Sequence, residues 1–345
     1  MPDTKPLPEL ESIIDQKGAV ANLTAIIQRE TVPHAILFTG IEGVGKKTAA
    51  ITFIMACNCT RRRISCNSLE ADGDKRTGPC GECRSCRKIL TGNHPDLIFI
   101  NPSGAVIKIS QIRELVAKLA LKPYDDGYRA VIISDAEAMK KEAGNALLKI
   151  LEEPPDRTVI ILTARQTSDL LPTIVSRCRH IRFNPVSNEH IRSFLITAHG
   201  VDEDRAGILA SLAEGSLKRA AEMNEGSWLQ LRNGLIHELE RIEKWNVTTC
   251  LRFAEILAGK KEYIQYVLSI IKTWFRDLVV YKYVPGKVMN KDLMDAVKRA
   301  SGKMEVNTLM LNIKAAERVR EAIDKNANLR LALENFAMEV ANIEQ

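Results

Sequence analysis

Short apolar runs punctuate the first half of the chain: His34–Phe38 (HAILF), Leu97–Ile100 (LIFI), Ala130–Ile133 (AVII) and Val159–Leu162 (VIIL). Uninterrupted runs of this length, without polar alternation, predict strands buried on both faces. Between them the apolar positions change period. Ile112, Leu115, Val116 and Leu119 recur at i, i+3, i+4 and i+7, which is one stripe of a helix, and Pro123 follows. A helix is predicted from Lys46 to Cys59, and another from about Glu137 to Leu151, stopped by Pro154-Pro155. Strands alternating with helices predict a parallel sheet with both faces covered, an α/β nucleotide-binding architecture.

After Asn184-Pro185 the strand signals end. Residues 186–224 read as a small helical unit whose apolar stripe is Ala206, Leu209, Ala210 and Leu212. From Trp228 onward the pattern is of long helices, including Phe253–Leu257, Tyr263–Tyr283 and a final one from Thr308 to Ile343 with Ala315, Val319, Ala322 and Ile323 on one face. A helix bundle accounts for this part. Three domains are expected, over residues 1–184, 185–225 and 226–345, and 345 residues suffice for them. A net charge of +6 is mild and serves solubility as readily as an acidic or nucleic-acid partner. No apolar run is long enough to cross a bilayer, and the opening MPDTKPLPELESI lacks the order of a secretory signal, so a cytoplasmic location without membrane association is expected.

The cysteines add a metal to this picture. Of eight, six fall between residues 57 and 86: Cys57, Cys59, Cys66, Cys80, Cys83 and Cys86. In a reducing compartment such a cluster points to a metal site before disulfides. Cys80-Gly81-Glu82-Cys83-Arg84-Ser85-Cys86 is a Cys-x-x-Cys-x-x-Cys run, whose three thiolates can converge on one tetrahedral ion. Zn²⁺ wants four ligands, so a fourth must come from elsewhere. Iron–sulfur ligation needs a fourth cysteine at a spacing not seen here. A sequence-reading zinc finger would need a base-reading helix after the cysteines, and none follows.

The segment after the first strand, Gly40-Ile41-Glu42-Gly43-Val44-Gly45-Lys46, is nearly a complete phosphate-binding loop. Gly40, Gly43 and Gly45 let backbone N–H groups turn toward phosphate oxygens, and Lys46 would reach the β and γ phosphates of ATP or ADP. The hydroxyl that should follow and hold Mg²⁺ is replaced by Lys47, and Thr48 lies about 100° further round the helix. After the third strand, Asp135 is placed to approach a metal, but Ala136 stands where a water-polarising glutamate belongs. Glu137 comes one residue late and is expected to point elsewhere. The loop can still hold a nucleotide; Mg²⁺ binding and hydrolysis are undermined twice over.

"NALLKILEEPP" (Asn145–Pro155) followed by "LLPTIVSRC" (Leu170–Cys178) resembles the bacterial replicative clamp loader of DNA polymerase III, an AAA+ family. The resemblance is strong from about residue 12 to 225 and beyond that rests on length and helicity. It implies an AAA+ α/β module with a zinc-binding insertion, a small helical lid and a C-terminal helical collar. Within the family the chain is most similar to the stator type of subunit, which sits in a ring beside ATP-hydrolysing gamma/tau subunits and the clamp-opening delta subunit. Such rings load a sliding clamp on primed DNA. In the family's Ser-Arg-Cys motif, here Ser176-Arg177-Cys178, the arginine acts in trans on a neighbour's ATP. The family's fourth zinc ligand lies at the end of the helix after the phosphate loop, where a gapless count arrives at Cys59. The zinc module then spans about 59–86, with Cys66 as the alternative fourth ligand. Two departures weaken nucleotide sensing: no hydroxyl stands at Ala164 or Arg165, and Lys218 replaces the lid arginine, with Arg219 a step away. An active gamma/tau-like ATPase is the competing reading.

Overall fold

The computed structural model describes residues 10–61, 78–226, 228–260, 263–325 and 327–343. Five strands form one parallel sheet in the order β2-β3-β4-β1-β5. They are β1 (Ala35–Thr39), β2 (Leu97–Ile100), β3 (Arg129–Ile133), β4 (Thr158–Ala164) and β5 (Arg179–Arg182). Every residue of β1, β3 and β4 is buried, as their unbroken apolar runs require.

Helices cover both faces. On one side lie α1 (Lys17–Arg29) and α2 (Lys46–Asn58), followed in the chain by the short α3 (Arg84–Leu90); on the other lie α4 (Ile109–Leu119) and α5 (Lys141–Glu152). The α4/α5 side closes over Leu37, Val131, Ile133, Ile160 and Leu162 with Ile112, Leu115, Leu147 and Ile150 in one cluster. Alternate strand residues such as Ile36, Phe38 and Ile132 point to the other face and are equally buried. The short α6 (Pro172–Val175) packs beside α5, where Gly144 gives it room: a Cβ there would come within 2.9 Å of Leu171.

The remaining chain is helical: α7 (Asn188–His199), α8 (Glu203–Leu212), α9 (Leu217–Glu225), α10 (Trp228–Leu239), α11 (Val247–Ala258), α12 (Ile264–Tyr283), α13 (Met294–Ser301), α14 (Val306–Asp324) and α15 (Leu329–Val340). The chain divides into two compact units, Met1–Phe194 with Glu214–Arg219, and Leu195–Ala213 with Ala220–Gln345. The second is organised on α12, which packs against α13 and α14, while α11 packs against α15. Trp274 and Phe275 of α12 are fully buried, and its buried Asp277 accepts the N–H groups of Met289 and Asn290. Among the described residues no helix is long and apolar enough to cross a membrane.

Three elements differ from the sequence expectation. β5 gave no apolar signal because it is an edge strand, where only Ile181 is buried and Arg179, His180 and Arg182 are exposed. The helix expected from Glu137 is a 3-10 turn (Ala136–Ala138) followed by α5, since Met139 and Lys140 are extended. The single helix expected over Thr308–Ile343 is two, α14 and α15, the second started by the Asn328 side chain accepting the Leu331 N–H at 3.2 Å.

Leu147 sits fully buried where α5 meets the sheet. Leu147→Ala is expected to destabilise the chain by about 2–5 kcal/mol. The check is urea unfolding, with a lower midpoint at an unchanged slope.

Candidate functional site

The phosphate-loop sequence leaves β1 at its C-terminal end and enters α2 at Lys46. Gly45 caps that helix in the left-handed region (φ 94°), which an L side chain adopts only at a cost. Gly43 is also left-handed (φ 81°), and a Cβ there would meet Ser216 Oγ at 2.2 Å and Lys218 Cβ at 2.7 Å. The turn at Glu214–Arg219 therefore lies directly across the loop. Leu217 N–H donates to Gly43 O at 3.1 Å, and Lys218 Nζ pairs with Glu42 at 2.6 Å. The neighbouring Arg219 is taken by Glu214 at 2.8 Å.

Lys46 is buried, and its Nζ donates to the loop's own carbonyls, Gly40 O and, at 2.9 Å, Ile41 O. Burial lowers its pKa; Glu137, Asp135 and Glu42 work against that shift, and Arg165 adds to it. The charge of Glu137 is the largest of the influences that oppose the effect of burial on Lys46. Asp135 adopts the left-handed conformation (φ 50°), and a 3-10 turn, Ala136–Ala138, follows it. Burial raises the Glu137 pKa, and its Oε2 is buried with no hydrogen-bond partner. Its other oxygen lies 3.6 Å from Arg165. Thr163 spends its hydroxyl accepting the Asp135 N–H at 3.1 Å. Lys47, at the position of the metal-binding hydroxyl, extends over the Phe99 ring, 5.5 Å from its centroid, and Thr48 is exposed beside it.

Arg177 occupies the opposite edge of the sheet, just before the N-terminal end of β5. Cys178 next to it packs into the α4/α5 core, and burial pushes its thiol up to about 11. Arg177 itself reaches outward, pairs with Glu152 at 2.7 Å and donates to Thr173 O at 3.1 Å.

Four cysteines converge at the end of α2. The sulfurs of Cys59, Cys80, Cys83 and Cys86 all lie within 4.8 Å of one another, a set that could hold a metal ion. Backbone N–H groups thread the cluster: Cys80 N–H to Cys59 Sγ at 3.4 Å, Cys83 N–H to Cys80 Sγ at 3.3 Å, and Cys86 N–H to Cys83 Sγ at 3.4 Å. Cys59 belongs here because α2 ends at Asn58 and the next residue turns extended. Cys57 is buried and stands outside the group, and Cys66 lies outside the described residues. Burial raises the pKa of Cys86, and the neighbouring Cys83 reinforces it. Burial acts the same way on Cys83, but hydrogen bonds from Cys86 and Thr60 outweigh it and bring that thiol down to about 6. An ion pair between Arg61 and Glu82 crosses the outside of the cluster.

Comparison with known proteins follows the same lines. The DNA polymerase III subunit delta′ of Bacillus subtilis (strain 168) is 26% identical over 317 residues, 90% of this chain and 92% of that one. The delta′ subunit of Pseudomonas aeruginosa PAO1 is 38% identical over 147 residues, 42% of this chain and 41% of that one. The B. subtilis tau subunit is 27% identical over 80% of this chain, which spans only 51% of tau's length. Among solved structures, a DNA polymerase III gamma subunit-related protein of Thermotoga maritima superposes with a TM-score of 0.46 at 20% identity, over 96% of this chain and 100% of that one. A family model described as DNA polymerase III, delta subunit, matches residues 15–187, half of the chain, and its C-terminal counterpart matches residues 226–341. The chain belongs to the DNA polymerase III delta subunit family.

Proposed function

We propose that this chain is a non-hydrolysing stator of the bacterial replicative clamp loader. In this reading it assembles with gamma/tau and delta subunits, offers Arg177 to the ATP of a neighbour, and helps load the sliding clamp on primed DNA. The observation that carries it is the separation of Arg177 from the chain's own phosphate loop. The loop leaves the C-terminal end of β1, whereas Arg177 precedes the N-terminal end of the parallel β5. Four steps along a strand span roughly 13 Å, so the arginine faces away from the chain's own nucleotide seat and toward whatever lies beside it. An arginine placed against a γ-phosphate contributes on the order of 10³–10⁵ in rate, about 4–7 kcal/mol of barrier.

The chain's own loop is the weaker half. Lys46 and the glycines suit ATP or ADP, but Lys47 supplies a cation where Mg²⁺ needs an oxygen, and its amine is engaged over Phe99. One observation favours the rival reading of an active gamma/tau-like ATPase: the Glu137 carboxylate acts on Lys46 through its charge. Without the metal-binding hydroxyl, that carboxylate has no activated phosphate to work on.

The same proposal assigns the domains as residues 1–184, a nucleotide-binding-like module with the cysteine insertion at about 59–86, then 185–225 as lid and 226–345 as collar. The four thiols are assigned to structural zinc. A tetrahedron with bonds of about 2.3 Å sets sulfurs roughly 3.8 Å apart, inside the 4.8 Å within which all four sulfurs lie. Four thiolates leave no open position for catalysis. Zinc thiolates of this kind belong in a reducing compartment, which fits a cytoplasmic protein.

Two outcomes are expected. In the cognate complex with gamma/tau, delta, clamp and primed DNA, Arg177→Ala should abolish the stimulated part of ATP turnover, while the isolated chain turns over no ATP. Mg²⁺-dependent turnover by the isolated chain that disappears in Lys46→Ala would make it a motor instead. Metal analysis should find one zinc per chain. Cys59→Ser should lose it and, because such sites contribute about 10–16 kcal/mol of folding energy, should expose the insertion to protease; retention of full zinc by that variant would shift the fourth ligand to Cys66.

A further inference from the structure

The pairing of Arg177 with Glu152 is more than a surface contact. Glu152 is the last residue of α5, where the helix dipole presents its negative end and a carboxylate is disfavoured. Glu153 beside it adds a like charge. A glutamate held there against local electrostatics calls for another reason, and the structure offers one partner, the Arg177 guanidinium at 2.7 Å.

From this we infer that Glu152 is a positioning residue that orients Arg177 before a neighbouring nucleotide arrives; the inference rests on Arg177 acting in trans. Three contacts fix the guanidinium. Nη2 takes Glu152, and Nη1 takes Thr173 O at 3.1 Å and Ser176 Oγ at 3.4 Å. With two of its three nitrogens held, the planar group keeps one orientation although the side chain is 36% exposed. The two recorded hydrogen bonds both come from Nη1, Nη2 lies in the ion pair, and Nε–H is left to meet an incoming phosphate oxygen.

Both ends of the contact stand on rigid ground. Glu152 ends a helix whose Leu147 and Ile150 are core, and Cys178 anchors the residue after the arginine in that same core. At Gly144 the two helices meet so closely that an added Cβ would strike Leu171. A surface pair of this kind contributes almost nothing to stability. What it contributes is a side chain whose rotamer freedom is already lost when the neighbour docks.

The test is steady-state ATP turnover of the full complex with clamp and primed DNA, carrying each variant of this chain. Glu152→Ala should lower kcat about tenfold, below the ~100-fold that an ångström of misplacement can cost, with KM for ATP unchanged. Glu152→Gln, which keeps the acceptor oxygen, should recover most of the rate. Glu152→Ala should not move the urea midpoint, and added to Arg177→Ala it should cause no further loss. If Arg177→Ala is impaired while Glu152→Ala matches the parent, the positioning role is wrong and the trans arginine stands. A loss from Glu152→Ala that persists on the Arg177→Ala background would also overturn it, as a structural effect. If Arg177→Ala itself is silent, there is no finger to position and both readings fall.

Discussion

A parallel strand buried on both faces has only its two ends to give to chemistry. β1, β3 and β4 are buried along their whole length, so every polar group of consequence in this module is pushed to one edge of the sheet or the other. At the C-terminal edge stand the loop after β1, the acidic turn after β3 and Arg165 after β4, whose charges act on Lys46. At the N-terminal edge stand Arg177, entering β5, and Glu152, ending the helix that returns from β3. The two chemistries are kept apart by the sheet itself. Arg177 and the phosphate loop therefore stand at opposite ends of the strands.

The cysteine cluster answers a different constraint. Between α2 and β2 the chain runs through a polar stretch with no apolar run to bury. Cys59 reaches the cluster because α2 ends one residue earlier, and Cys83 starts α3 by accepting the Cys86 N–H. Four sulfurs this close, two of them buried, are poorly accommodated as bare thiolates. A divalent cation would remove that conflict and fasten the segment at the same time.

Much of this was legible in the sequence for a simple reason: continuous apolar runs and helical stripes are local signals. The loop glycines, the Cys-x-x-Cys-x-x-Cys run and the Ser-Arg-Cys motif are local too. What escaped depends on contacts distant in sequence or on backbone detail. β5 is four residues with a single buried side chain, and it becomes a strand only because β1 offers an edge. Counting from Asp135 to Glu137 does not show that Asp135 is left-handed or that the residues after it form a 3-10 turn. Glu152 lies inside a recognisable motif, yet nothing in the spacing predicts that it will grip a residue twenty-five positions later.

The phosphate loop has structural work of its own. Its glycines are usually explained by a phosphate that must approach the backbone. Here Gly43 is required by protein: Ser216 and Lys218 fill the space a side chain would need, and Leu217 N–H takes the Gly43 carbonyl. Lys46 likewise has work without a nucleotide, tying the loop's carbonyls together while buried. Lys47 takes part in neither of these contacts. The loop's shape is therefore held by contacts within the protein, which Gly43, Gly45 and Lys46 supply on their own.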